Sequence, residues 1–146
     1  MRNVWFQRMM LLASFSLLDY VITLLLISHP DEEANVFARG FMEIFGVASG
    51  LTIFSVLVNL PVFLILGLLA FYSRPSDFAA SAFATPGLDI AFAWFVAGAH
   101  FSGALSWIVN GPSLLYQITG AALYLEILFV VSTKRRQRLA KLDRQN

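Results

Sequence analysis

The chain has 146 residues, of which 58% are hydrophobic and 13% charged, with a formal net charge of +1 and no cysteine. A soluble single domain of this length cannot hide so much apolar surface in one core, and a mean hydropathy of +0.72 points to the bilayer as its solvent. The lack of cysteine excludes disulfides, thiolate metal sites and thiol redox chemistry.

A membrane-crossing helix needs about 20 mostly apolar residues, and the first such segment covers about Val4–Ile27. Arg2 and Arg8 precede it as they would a signal peptide. Its apolar run from Met9 to Ile27 is longer than a signal-peptide core, however, and no small-x-small cleavage site ends it, so a retained helix is expected. The connection SHPDEEANVFARGFMEIFG, residues 28–46, sets Phe37, Phe41, Ile44 and Phe45 on one helical face. That pattern predicts a short helix lying on the outer membrane surface. The second span covers about Val47–Tyr72. After it, SRPSDFAASAFATPG carries Pro and Gly at its edges and predicts a short surface turn beyond Ser76. The third span covers about Asp89–Val109 and the fourth about Ser113–Thr133. The tight link NGPS at 110–113 makes these two antiparallel neighbours. The basic tail KRRQRLAKLDRQN, residues 134–146, extends the last helix.

The expected fold is therefore all-α, a four-helix transmembrane bundle of residues 1–133 followed by a basic tail. With both termini cytoplasmic, Arg2, Arg8, Arg74, Lys134, Arg135, Arg136, Arg138, Lys141 and Arg144 lie inside and only Arg39 outside. Nine against one is a strong bias under the positive-inside rule and predicts a multi-pass protein of the cell membrane. The tail's six basic residues serve topology and anionic lipid, and nucleic-acid binding is not expected. Trp5, Tyr72 and Trp107 fall near the interfaces as an aromatic belt requires. Phe92, Trp94, Phe95 and Phe101 encircle the third span, so part of that set faces lipid, a cofactor or another subunit, with lipid the default.

Four polar residues interrupt the spans, one in each: Asp19, Asn59, His100 and Glu126. Such groups are costly in hydrocarbon and face the bundle interior with partners. Counting about 1.5 Å per residue from the outer ends puts Asp19 and His100 about 13 Å deep, with Asn59 and Glu126 at about 18–20 Å. Ser16 and Thr23 share the Asp19 face, Thr52 and Ser55 that of Asn59, and Ala93, Ala97 and Ala104 that of His100. A polar seam of Asp19, Thr23, Asn59, His100 and Glu126 is expected. Two readings stand open: interhelical hydrogen-bond glue, or a proton-accepting or ligand-binding column serving transport, acid–base catalysis or a metal. His29, Asp31, Glu32, Glu33 and Asn35 form a second polar group outside the first span. Their donors suit a divalent cation, yet the acidic residues after Pro30 equally stabilise the positive end of the surface helix, and the even spacing of a dedicated cation loop is missing. No metal or other cofactor is expected.

The span with Asp19 and Thr23, followed by EEANVFARG with Glu33, Asn35 and Arg39, resembles DUF5658, a family of small bacterial and archaeal membrane proteins of unknown function. Its members carry an aspartate and a threonine in the first helix and then an E-x-N-P-x-x-R-like stretch; here Val36 stands at the proline position. The resemblance covers the first 45 residues and implies a first-helix aspartate near Glu33 and Asn35, with no activity attached. The paired-aspartate motifs of lipoprotein signal peptidases, N-x-x-D-R and a later x-x-A-D, are absent. Quinone reductases of the vitamin-K-epoxide type need cysteines. A bis-histidine haem would need His29 and His100 at one depth, and they count about 13 Å apart. The sequence thus favours a non-catalytic membrane protein, an accessory subunit or a self-associating scaffold whose partners are lipid, other membrane subunits or its own copies. A proton-coupled transporter or intramembrane enzyme using Asp19, His100 and Glu126 is the rival.

Overall fold

The computed structural model describes residues 4–72 and 86–142. The turn expected after Ser76 lies outside them, as do Arg2, Arg74 and Arg144 of the topology count. The described residues are helical throughout: α1 (Val4–Leu26), α2 (Val36–Phe45), α3 (Val47–Tyr72), α4 (Pro86–Ser106) and α5 (Ser113–Leu142), with a short 3-10 turn at Pro30–Glu32. Four of them, all but α2, are long and apolar enough to cross a membrane. Such helices satisfy every backbone group internally, which hydrocarbon demands.

The boundaries follow local chemistry. α4 is already helical at Pro86, three residues before the expected Asp89. It ends at Ser106 rather than Val109, where the amides of Ile108 and Val109 both turn back to the Leu105 carbonyl ahead of Asn110–Pro112. Tyr116 closes that turn by donating its hydroxyl to the Val109 carbonyl at 3.1 Å. α5 continues past Thr133 to Leu142, carrying the basic tail out as helix.

Inside α4, Ala93–Gly98 winds as a π-helix before α-geometry resumes at Ala99. A π segment holds one residue more per turn and so re-aims everything after it. Gln117 of α5 donates its Nε2 to the Trp94 carbonyl at 3.2 Å, pinning this irregular stretch to its neighbour. The backbones of α4 and α5 nearly touch there. A Cβ on Gly120 would sit 3.1 Å from the Gly98 Cα and would collide with the Phe101 side chain.

α1 and α4 occupy the middle of the arrangement, α3 packing along α1 on one flank and α5 along α4 on the other. One core joins Trp5, Leu12 and Phe15 of α1 to Leu66, Ala93, Ala97, Tyr124 and Leu128. Phe15 anchors its centre, edge-on to Phe101 at 6.2 Å and to Tyr124 at 6.4 Å. Ala93, Ala97 and Ala104 are all buried, the small face the sequence assigns to α4.

α2 is amphipathic in an unusual sense. Ala38 and Met42 are buried against Ile27 and Leu51, while Phe37, Ile44 and Phe45 remain exposed. Gly46, with φ 82°, reverses the chain into α3 in a backbone conformation that L side chains rarely adopt. Gly50 then lets α3 approach the backbone of Phe41 and Met42, and the Phe41 and Phe54 rings meet at 6.0 Å. α2 therefore doubles back along α3 as well as displaying an apolar face.

Candidate functional site: an interhelical Asp–His–Asn network

Three helices bring four polar side chains to a single point: Ser16 and Asp19 from α1, Asn59 from α3 and His100 from α4. On α1, Ser16 and Asp19 are one turn apart and project from the same face. On α3, Asn59 donates its Nδ2 to the Ser55 carbonyl one turn earlier at 2.9 Å, which fixes the amide and turns Oδ1 toward α1 and α4. Oδ1 accepts from the Ser16 hydroxyl at 3.0 Å. On α4, His100 follows the π segment and reaches both neighbours: Nδ1 lies 2.8 Å from Asp19 Oδ2, and Nε2 lies 3.0 Å from Asn59 Oδ1. Gly103 gives the carboxyl its room, since a Cβ there would stand 2.6 Å from Asp19 Oδ1.

The protonation pattern follows from valence. Asn59 Oδ1 can only accept, so Nε2 of His100 carries a hydrogen and donates it. One further proton lies between Nδ1 and Asp19, on the ring or on the carboxyl, and the pair is electrically neutral in either form. A neutral unit avoids the penalty of an isolated buried charge. The side chains of His100 and Asp19 are 18% and 23% exposed, and Asn59 is buried. Chemically the arrangement can hold or exchange a proton. The Ser16 hydroxyl donates to the amide and not to the imidazole, so it is not arranged as an imidazole-activated nucleophile. Among the described residues no three His, Asp or Glu side chains come together as a metal site.

Of the seam expected from sequence, Asp19, Asn59 and His100 thus meet at one level. Thr23 is buried one turn from Asp19 and outside the network's hydrogen bonds. Glu126 takes no part: it is exposed on the side of α5 facing away from the bundle, whereas Tyr116, Tyr124 and Leu128 are buried on the other side. Depth counting along an axis carries no azimuth, and α5 sits on the flank opposite α3.

The second polar group is occupied with backbone. Glu32 Oε2 accepts from the amides of Ser28 at 2.7 Å and His29 at 3.2 Å, which holds its carboxyl below the usual range. Asn35 caps α2 through the amides of Phe37 at 3.0 Å and Ala38 at 3.3 Å. Glu33 accepts from the Asn35 amide at 2.8 Å, and its own carbonyl receives Arg39 Nε at 3.0 Å. Burial pushes the Glu33 carboxyl up, and the nearby charge of Asp19 adds to the effect against the Asn35 hydrogen bond. His29 and Asp31 are exposed.

Two residues the sequence reading used separately turn out to be partners. Arg8 and Asp89 form a bidentate pair, Nε to Oδ1 at 2.6 Å and Nη2 to Oδ2 at 2.7 Å, with Trp5 4.9 Å from the guanidinium. Arg8 is only 5% exposed. It reads in the sequence as a topology charge, and the one available signal was an opposite charge at the matching end of the third span. A smaller tie, Tyr20 to Thr52 at 2.8 Å, joins α1 to α3 near α2. Comparison of the chain with family models, with curated proteins and with solved structures finds no match.

Proposed function

We propose that the chain is a small polytopic membrane protein acting as an accessory subunit or scaffold, with the Asp19–His100–Asn59 network as a structural clasp. Both termini are cytoplasmic in this reading and α2 lies on the outer side, as the distribution of basic residues requires. The observation that carries the proposal is that both His100 nitrogens, the Asn59 amide and the Ser16 hydroxyl all find partners within the protein. A shallow groove lined by Ala48, Ser49, Thr52 and Ile53 has none of Asp19, Asn59 or His100 in its lining.

A proton-coupled transporter or intramembrane enzyme is the second reading, favoured by one feature: the Asp19–His100 pair holds a transferable proton with Glu33 nearby. Proteoliposomes loaded with a pH-sensitive dye separate the two. The scaffold reading expects proton uptake equal to that of empty vesicles under an imposed potential. Uptake that Asp19→Asn abolishes while the helical content is retained would establish the second reading instead.

A further inference from the structure

The side of α5 that faces away from the bundle is not an ordinary lipid surface. Leu115, Thr119, Ala122, Glu126 and Phe129 are all exposed and follow one another at alternating spacings of four and three. That is the seam spacing of a left-handed helix pair. Small residues in the seam let two backbones approach closely. Glu126 lies within the membrane-crossing part of the helix, Ser113–Lys134, and points out of the fold. An ionisable group at that depth facing acyl chains is costly and needs a polar partner. The Thr119 hydroxyl already donates to the Leu115 carbonyl at 2.8 Å, so the outward polar group left to satisfy is the carboxyl.

We infer that this face is the contact between two copies of the chain, packed α5 against α5 about a twofold axis along the membrane normal. The inference rests on the scaffold reading and gives it a partner. Copies inserted with the same topology meet in parallel, and a twofold axis sets each residue of the seam against itself. Glu126 then faces Glu126, and a carboxyl is its own complement, one donating O–H to the other's carbonyl oxygen. Thr119 and Ala122 give the close approach that brings these groups within reach.

The absence of native cysteine makes the test direct. Ala122→Cys in the full chain, reconstituted in phosphatidylcholine–phosphatidylglycerol vesicles and oxidised, is expected to give a disulfide-linked dimer. Leu57→Cys, on the exposed side of α3, is expected to give little. Single-molecule photobleaching of labelled protein supplies the affinity. Glu126→Gln, whose amide is also self-complementary, is expected to preserve dimerisation. Glu126→Ala is expected to weaken it by roughly 5- to 30-fold, the value of one or two interhelical hydrogen bonds. Circular dichroism of each variant shows that the fold survives. Cross-linking at Ala122→Cys no greater than at Leu57→Cys, a monomer at every density, or an affinity unmoved by Glu126→Ala would overturn the dimer. So would a basic helix of another protein found on this face. A monomer that still leaves proton uptake at background would sink this inference and spare the scaffold reading.

Discussion

His100 is held at both ring nitrogens, and that double hold explains why a histidine occupies this position on α4. The imidazole joins α1 and α3 through one rigid ring, without the rotamer freedom of a glutamine or lysine. Asp19, Asn59 and His100 were legible in the sequence because polar residues stand out in long apolar runs and have few places to go. Arg8 was not, because a charge near a helix end has a sufficient explanation in topology. The structure gives it a second role with Asp89, buried and bidentate. Removing one member of such a pair strands the other, so Asp89→Ala is expected to destabilise the protein by about 3–5 kcal/mol. The joint replacement Arg8→Met with Asp89→Leu is expected to recover most of that loss. Thermal unfolding in detergent, followed by circular dichroism, measures both, and equal losses for the single and double variants would show that Asp89→Ala leaves no costly stranded charge.

Helix number and approximate ends were readable from hydropathy and from the Gly/Pro punctuation at Asn110–Pro112. The irregular winding of α4 was not. Gly98 weakens helical propensity there without specifying a π turn, and Gln117 takes up the Trp94 carbonyl. The π segment sets the direction of His100, so the site depends on a backbone feature that residue patterns do not report. α2 was partly legible. Its apolar face was identified, whereas its fold back onto α3 depends on Gly46 and Gly50, which read equally well as ordinary loop and span residues. The α4–α5 contact supplies a test at this scale. Gly120→Val drives side-chain atoms into Phe101 and the Gly98 backbone and is expected to destabilise by about 1–3 kcal/mol through overpacking. Gly67→Ala meets nothing within 4 Å and is expected to be neutral or to stabilise α3 by up to about 1 kcal/mol. Comparable melting temperatures for the two variants would mean that the α4–α5 approach is not tight.

At the scale of the molecule, four apolar helices arrange themselves with α1 and α4 at the centre and α3 and α5 on the flanks. Hydropathy gives the number of spans but not which of them touch, because each is apolar around most of its circumference. Glu126 illustrates the limit: its depth suggested the seam, and its azimuth puts it on the far side of α5. The inner polar network lies among α1, α3 and α4, and the Glu126 carboxyl lies on the far face of α5. Interhelical hydrogen bonds in membranes are individually modest, about 0.6–2 kcal/mol, so a clasp of this kind has its effect through register and uniqueness more than through total stability.

The central claim is that Asp19 and His100 act on each other to hold α1 against α4. A double-mutant cycle of Asp19→Ala and His100→Ala, read as unfolding free energies in mixed lipid–detergent micelles, measures that coupling directly. The structure predicts a coupling of about 1–2 kcal/mol, with the double variant less destabilised than the sum of its parts. Losses that add within about 0.5 kcal/mol would contradict it.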